Sequence, residues 1–200
     1  MKVARKLGAG VAALASLALV SLSGGTAQAS PGNWNLDTAY ASNMCLDAAY
    51  VANDPVQNPW RNGDTVQMWH CNQQAQQGWI FHIQGYQPNG LPIFTITNQR
   101  SGLCLDMDIS GGSVGGTGYD YYGHRVQLWT CNGWDNQLWY QGYGYAGDSV
   151  LQAGNGAKAG CGCDYLDAKN FGGWTPADDG DPVLVWDYIG YDAPQNWTWS

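Results

Sequence analysis

Residues 104–106 read Cys-Leu-Asp, residues 126–131 read Val-Gln-Leu-Trp-Thr-Cys, and residues 136–139 read Asn-Gln-Leu-Trp. These three motifs contain two cysteines, a carboxylate, several side-chain amides and two indoles. Altered copies of them occur in the same order earlier and later in the chain. The sequence is therefore a threefold repeat, and its fold has to be explained by packing three similar units together.

The first copy preserves almost every position of the second. It reads Cys-Leu-Asp at 45–47, Val-Gln-Met-Trp-His-Cys at 66–71 and Gln-Gln-Gly-Trp at 76–79. Asp47 and Asp106 are 59 residues apart, and Asp106 and Asp167 are 61 apart, so the period is regular. We place the repeats at approximately residues 34–90, 91–150 and 151–200.

The third copy is degenerate but in phase. Residues 164–167 read Asp-Tyr-Leu-Asp, residues 184–188 read Leu-Val-Trp-Asp-Tyr, and residues 195–197 read Gln-Asn-Trp. Tyr165 and Tyr188 stand where the other copies have cysteine. A paired change of this kind is expected if the two side chains face each other, with a packed aromatic pair in place of a disulfide.

The composition indicates an all-β domain. Gly, Asn, Gln, Tyr and Trp are abundant, and no long segment has a helical apolar period, which favours short strands joined by turns. Each repeat closes on a Gln-x-Trp motif, and large indoles at a repeated position usually build a shared interior. We expect Trp79, Trp139 and Trp197 in the core and pseudo-threefold closure of one domain, residues 30–200.

The first 29 residues have the pattern of a secretory signal peptide. Lys2, Arg5 and Lys6 precede an apolar run, and Ala-Gln-Ala at 27–29 resembles a cleavage site. Without this segment five basic residues face sixteen acidic ones, a net charge of −11. Such a surface repels phosphate backbones and anionic headgroups, so we expect an extracellular protein without nucleic acid or membrane insertion.

Six cysteines in an exported chain indicate a disulfide framework rather than a metal site. Cysteines at matching repeat positions predict the bridges Cys45–Cys71 and Cys104–Cys131. Cys161 and Cys163 lie outside the repeat pattern, and we favour a bridge between them over two free thiols.

The three Cys-Leu-Asp and Gln-x-Trp motifs in phase resemble the ricin B-type lectin family, whose fold is the β-trefoil. The resemblance covers nearly all of the chain after residue 29. It implies carbohydrate binding, in which the Asp accepts hydrogen bonds from sugar hydroxyls, an aromatic stacks on the sugar ring and amides complete the contacts. The positions that match are Asp106, Gln127, Trp129, Asn136 and Gln137 in the second repeat, Asp47, Gln67, Trp69, Gln76 and Gln77 in the first, and Asp167 and Trp186 in the third.

The resemblance is complete only in the second repeat. The first repeat has Gln76 where the family has Asn, a longer side chain with the same chemistry. The third repeat has Leu184 and Pro194 at two amide positions, which removes most of the polar selectivity of a pocket. We expect two sugar sites and a third that is weak or absent.

The same residues also suit a neutral sugar on chemical grounds. A pyranose offers hydroxyls and C–H faces, which an acceptor carboxylate, amides and an aromatic plate can recognise. Other roles stay open: the Asp residues could cap turns, and Gln77 and Gln137 could tie loops to the backbone. The plate could instead come from Trp134 or from loop aromatics, namely Tyr50, Trp60, Tyr119, Tyr121, Tyr122, Phe171 and Trp174.

We therefore expect a secreted, monomeric lectin for neutral sugars of the galactose or xylose type, with no catalytic residues, cofactor or metal. One alternative is an accessory module or a weak glycoside hydrolase, for which sixteen Asp residues make a chance carboxylate pair possible. Another is a trefoil that inhibits or binds proteins, although such trefoils lack these repeated motifs.

Overall fold

Short strands with alternating side chains dominate the structure, a computed structural model that describes residues 33–38, 43–49, 60–111, 123–168, 178–190 and 194–199. These residues belong to one compact unit, residues 31–200. The predicted signal peptide lies outside the described residues. The strands are β1 (Asn33–Thr38), β2 (Met44–Ala48), β3 (Asp64–His70), β4 (Gly78–Tyr86), β5 (Pro92–Asn98), β6 (Cys104–Met107), β7 (Val126–Trp129), β8 (Trp139–Tyr143), β9 (Ser149–Ala153), β10 (Tyr165–Asp167), β11 (Leu184–Trp186) and β12 (Trp197–Trp199).

Four consecutive strands come from each repeat. Helical structure among the described residues is limited to the helix α1, Gly154–Ala159, and to the 3-10 turns Ala75–Gln77, Asp135–Gln137 and Tyr145–Gly147. In β3 the side chains of Val66 and Met68 are buried, while Gln67 between them is half-buried on the other face. This period of two is typical of a half-buried strand.

The first and fourth strands of each repeat close a six-stranded barrel. Antiparallel pairing runs from β1 to β4, β5, β8, β9 and β12, and β12 pairs with β1 again. Closure of the ring removes free strand edges from this part of the molecule.

The second and third strands of each repeat form a hairpin, and the three hairpins contact one another in a cycle. The amide of Gly63 donates to the carbonyl of Leu128, that of Gly123 to Val185, and that of Gly180 to Met68. All three glycines have a left-handed backbone, with φ of 91°, 79° and 93°. Glycine adopts this conformation without strain, so these positions suit the turn into each third strand.

The three closing tryptophans lie in the core, as predicted. Trp79, Trp139 and Trp197 have no exposed surface. Each indole Nε1 donates to a backbone carbonyl of its own repeat, at Leu46 (2.9 Å), Leu105 (3.0 Å) and Leu166 (3.0 Å). A buried indole needs such a partner for its N–H, and the shared geometry shows that the repeats are equivalent in structure.

Disulfides connect the cysteine positions that the repeat pattern indicates. Cys45 is bonded to Cys71 and Cys104 to Cys131, with Cα–Cα distances of 5.1 and 5.2 Å. Cys161 is bonded to Cys163. In the third repeat the ring centroids of Tyr165 and Tyr188 are 5.1 Å apart at an angle of 46°, so the expected aromatic pair replaces the bridge.

A six-stranded barrel joined to three hairpins in pseudo-threefold order is the β-trefoil, and this predicted fold is confirmed. In the described part of the chain no helix is long and apolar enough to cross a membrane.

Candidate functional site

In each hairpin, the aspartate of the first strand lies opposite the residue that occupies the Gln position of the middle Gln-x-Trp motif, in the second strand. Asp47 pairs with Gln67 across β2 and β3, Asp106 with Gln127 across β6 and β7, and Asp167 with Leu184 across β10 and β11. The structure therefore brings the sequence-predicted carboxylate and amide together in two repeats, and an apolar side chain replaces the amide in the third.

In the second repeat, three amides surround one buried carboxylate. Gln127 Nε2 donates to Asp106 Oδ1 at 2.9 Å, whereas Asn136 Nδ2 and Gln137 Nε2 donate to Oδ2, each at 2.8 Å. Burial raises the pKa of Asp106, and these hydrogen bonds offset only part of the effect. Because Oδ1 receives one amide, this oxygen retains acceptor capacity for a hydroxyl.

In the first repeat, two amides contact the corresponding carboxylate. Gln67 Nε2 donates to Asp47 Oδ1 at 3.2 Å. Burial raises the pKa of Asp47 to about 6, hydrogen bonds from Gln67 and Gln77 oppose this rise, and the charge of Asp179 adds to it. Gln76, the position of the Asn-to-Gln difference, is buried beside this carboxylate in the same cavity.

Gln77 and Gln137 lie behind the aspartates rather than in the cavity walls. Gln137 has no exposed surface; its Oε1 accepts from the Asn132 amide at 2.8 Å and its Nε2 donates to the Thr130 carbonyl at 3.1 Å. Gln77 makes the equivalent bonds to Asn72 and His70. These two glutamines, predicted here as sugar-contacting residues, hold the carboxylate and the following loop in position.

Two cavities open beside the two aspartates. The cavity of the second repeat has a volume of about 490 Å³ and that of the first about 330 Å³. Six matching positions line both of them: Asp106, Gln127, Trp129, Asn132, Trp134 and Asn136 in the second repeat, and Asp47, Gln67, Trp69, Asn72, Gln74 and Gln76 in the first. The arrangement presents an anionic acceptor, amides and an indole to one ligand.

Among the matching positions, three lining residues were not predicted. Asn72 and Asn132 each follow the second cysteine of their motif, and Gln74 lies two residues further on. Recurrence of Asn directly after that cysteine in both repeats is the signal that would have identified the first of these positions.

The preceding repeat contributes part of the wall of the second-repeat cavity. Asn62 and Gly63 line it, and Asn62 Oδ1 accepts from the amide of Thr130 at 2.6 Å and from its hydroxyl at 2.9 Å. At the equivalent junction, Asp179 Oδ1 accepts from the amide of His70 and contacts its Nδ1, both at 2.7 Å. A motif comparison within repeats misses these residues because they are distant in sequence.

The candidate stacking plates separate into three groups. Trp69 and Trp129 line the cavities and are 38% and 37% exposed, while Trp134 is 62% exposed. Trp60 packs against the core, with the Arg100 guanidinium 5.0 Å from its ring, and does not line either cavity. The remaining loop aromatics, Tyr50, Tyr119, Tyr121, Tyr122, Phe171 and Trp174, lie outside the described residues.

The third repeat keeps the support but not the polar wall. Gln195 Nε2 donates to Asp167 Oδ2 at 2.9 Å and to the Asp187 carbonyl at 2.8 Å, as Gln137 does in the second repeat. Leu184 and Pro194, both buried, occupy the other two amide positions. Trp186 is half-buried at the end of β11.

No group of three or more His, Cys, Asp or Glu side chains suited to a metal ion occurs in the described ranges. The described lining of the two cavities combines side-chain carboxylates and amides with indoles.

Solved structures with the same fold include one designed protein and two lectins. A designed threefold-symmetric protein, ThreeFoil, is 20% identical with a TM-score of 0.61, covering 84% of this chain and 96% of that one. The Polyporus squamosus lectin, bound to a human-type influenza-binding epitope, is 18% identical with a TM-score of 0.58, covering 84% of this chain and 48% of that one. The Macrolepiota procera ricin B-like lectin in complex with lactose is 16% identical with a TM-score of 0.56, covering 88% and 99%.

This chain thus spans about half of the Polyporus lectin chain and nearly all of the other two. No curated protein sequence matches it. The model of the family described as "Ricin-type beta-trefoil lectin domain-like" matches residues 21–108 and 75–199, most of the chain. Members of this family generally bind carbohydrate without catalysing a reaction. The chain belongs to the ricin-type β-trefoil lectin-like family.

Proposed function

We propose that the protein is a secreted lectin that binds neutral sugars, of the galactose or xylose type, at its first and second repeats. The observation that carries the proposal is the pair of cavities with six matching positions, each built on a buried aspartate that accepts side-chain amide hydrogen bonds. The same residue types, Asp, Gln, Trp and Asn, recur at four of the six positions, which favours a shared class of ligand over a local turn.

The chemistry of the cavities fits a pyranose. The aspartate accepts from hydroxyls, the amides both donate and accept, and the exposed face of Trp69 or Trp129 suits a C–H face. Two sites on one body gain avidity on a polymer or cell surface, where each alone binds weakly. The third repeat, with Leu184 and Pro194, is proposed as a weak or absent site.

The proposal also includes the signal peptide, the oligomeric state and the partners of the domain. Residues 1–29 act as the signal peptide, and residues 30–200 form a monomer with excess negative charge that avoids nucleic acid and membranes. The domain works alone or as an accessory module beside a separate catalytic or toxin chain.

Affinity chromatography tests the proposal directly. The pure protein is applied to immobilised galactose and to xylan, and we expect retention on at least one and release by the free sugar. The variant Asp47→Ala/Asp106→Ala should pass through, while Tyr143→Ala, an exposed residue outside both cavities, should behave as the parent. A folded parent that is retained by no neutral glycan on an array would exclude the lectin function.

A hydrolase is a second candidate, because the cavity of the second repeat contains two carboxylates. Burial raises the pKa of Asp106. Burial acts in the same sense on Asp108, but hydrogen bonds from Ser110 and Arg125 outweigh it and lower the pKa of Asp108. Divergent pKa values of neighbouring carboxyls are typical of an acid and base pair.

The contacts of these carboxylates favour the lectin. Asp108 Oδ1 accepts from the Ser110 amide at 2.9 Å and its Oδ2 from Arg125 Nε at 3.3 Å, while amides occupy Asp106. The first repeat has Ala49 at the position equivalent to Asp108 and so lacks the second acid there. Release of reducing ends from xylan or galactan by pure protein, abolished by Asp108→Asn, would support the hydrolase instead.

A further inference from the structure

We propose that the second-repeat cavity binds at least two consecutive neutral sugar residues of a chain, with Trp134 as the plate of a second subsite, whereas the first-repeat cavity binds one. The proposal rests on the lectin function above and goes further, because it assigns different ligands to two sites that the motif pattern treats as equal.

The two cavities present different side chains on the same backbone. The amide of Trp134 donates to Asn132 Oδ1 at 2.8 Å, and its carbonyl accepts from the Gln137 amide at 3.0 Å. In the first repeat Gln74 makes the same bonds, to Asn72 at 3.0 Å and from Gln77 at 2.8 Å. Their dihedral angles also agree, with φ of −78° against −89° and ψ of 162° against 157°.

The indole of Trp134 is exposed on a fixed support. It is 62% exposed although its backbone is held on both sides, and it lines the same cavity as Trp129. One pyranose face needs one aromatic plate, and the cavity of the first repeat offers only Trp69 among its described lining. A second exposed indole in the same cavity therefore offers a plate for the neighbouring sugar.

The wall beside Asp108 also distinguishes the second cavity. Asp108, Ile109, Ser110 and Arg125 line it and help to give a volume of about 490 Å³ against about 330 Å³. Backbone pairing matches Asp108 and Arg125 with Ala49 and Thr65 of the first repeat. Since Asp108 and Arg125 form an ion pair, their charges cancel, and the additional space suits a neutral chain rather than an acidic one.

The test compares a monosaccharide with a short chain at each site separately. The second-repeat site is studied in an Asp47→Ala background and the first-repeat site in an Asp106→Ala background. Calorimetric titrations with xylose and xylotriose, and with galactose and galactotriose, give the affinity ratio of trisaccharide to monosaccharide. We expect a ratio about tenfold higher at the second repeat, from the apolar area that a second sugar buries on the indole.

Exchanging the side chains at positions 134 and 74 tests whether the indole of Trp134 causes the higher ratio of trisaccharide to monosaccharide affinity. Trp134→Gln should lower the ratio of the second repeat to that of the first, Trp134→Phe should keep most of it, and Gln74→Trp should raise the ratio of the first repeat. An unchanged ratio after Trp134→Gln overturns the proposal, even if both affinities fall together. A ratio that stays at the parent value after Gln74→Trp counts against it as well.

The outcome also separates this proposal from the lectin function. If the parent binds neither the monosaccharides nor the trisaccharides nor any glycan on an array, the lectin function itself has failed and the second subsite with it. If the parent binds but both repeats show the same ratio, only the second subsite is excluded.

Discussion

The second and third repeats share a support and differ in the surface built on it. In both, a glutamine bridges a buried aspartate and a loop carbonyl, and the closing indole donates to the carbonyl of a buried leucine. Only the second repeat adds Gln127 and Asn136 around its carboxylate. The third repeat has Leu184 and Pro194 instead.

This difference divides the motif into two parts. The aspartate, the glutamine behind it and the closing tryptophan are all kept in the third repeat, although that repeat has lost its polar wall. These three positions therefore stabilise the fold of every repeat. The positions of Gln127 and Asn136, which have lost their amides in the third repeat, are the ones expected to determine binding. Asp106 belongs to both parts, since it anchors Gln137 and also faces the cavity.

The largest effect should come from removing the shared core. Trp139→Ala and Trp197→Ala should each lower the free energy of unfolding by about 3–5 kcal/mol, because both indoles are fully buried. Urea denaturation followed by circular dichroism measures the change. Strongly unequal losses of unfolding free energy would contradict the structural equivalence of the two repeats.

Alanine substitutions of the aspartates should distinguish their contribution to stability from their contribution to sugar binding. Asp106→Ala and Asp167→Ala should each cost about 1.5–3 kcal/mol of stability, because each removes a charged acceptor from buried amides. Only Asp106→Ala should abolish sugar binding at its repeat, measured by calorimetry below the unfolding temperature. Loss of sugar affinity in Asp167→Ala would show that the third repeat binds after all.

Gln127→Leu should convert the second repeat toward the third. It copies Leu184 and removes the amide that donates to Asp106 Oδ1, so sugar affinity at this site should fall about tenfold while the fold is retained. Titration in an Asp47→Ala background measures the second site alone. Gln141→Leu, which changes a half-buried amide outside the cavity, is the matched control.

The smallest effect concerns pH at the first repeat. Burial raises the pKa of Asp47 to about 6, with Asp179 adding to the rise and Gln67 and Gln77 opposing it. The carboxylate is present above that pH and lost as the pH falls through it, so affinity should drop about fourfold between pH 7.5 and 5.5. Titrations in an Asp106→Ala background check this.

Stability should move in the opposite direction for the same group. A folded-state pKa above the unfolded value means that the folded protein binds the proton more tightly, so the contribution of Asp47 to stability increases as the pH falls from about 6 toward 3.8. Weaker binding at pH 5.5 therefore cannot be attributed to an Asp47-driven loss of fold. Equal affinity at the two pH values would contradict the role of the carboxylate.

Local and periodic features could be read from the sequence. The repeat period, the core indoles, the tyrosine pair and the carboxylate beside Gln127 all depend on residues that recur in phase, so comparison of copies finds them. The supporting role of Gln137 could not be separated from sugar contact, because an amide suits either. The contribution of Asn62 to the next repeat's cavity depends on a contact across 68 residues that no local pattern encodes.

The cycle of glycine contacts gives the repeats a direction as well as a symmetry. Each repeat donates to the next, and the third donates to the first, while the first and last strands pair with each other. The backbone is thus close to a ring with a single opening. A circular permutant opened in the turn between Tyr86 and Pro92 would keep all three junctions, whereas an excised second repeat would lose the asparagine and glycine that complete its own cavity.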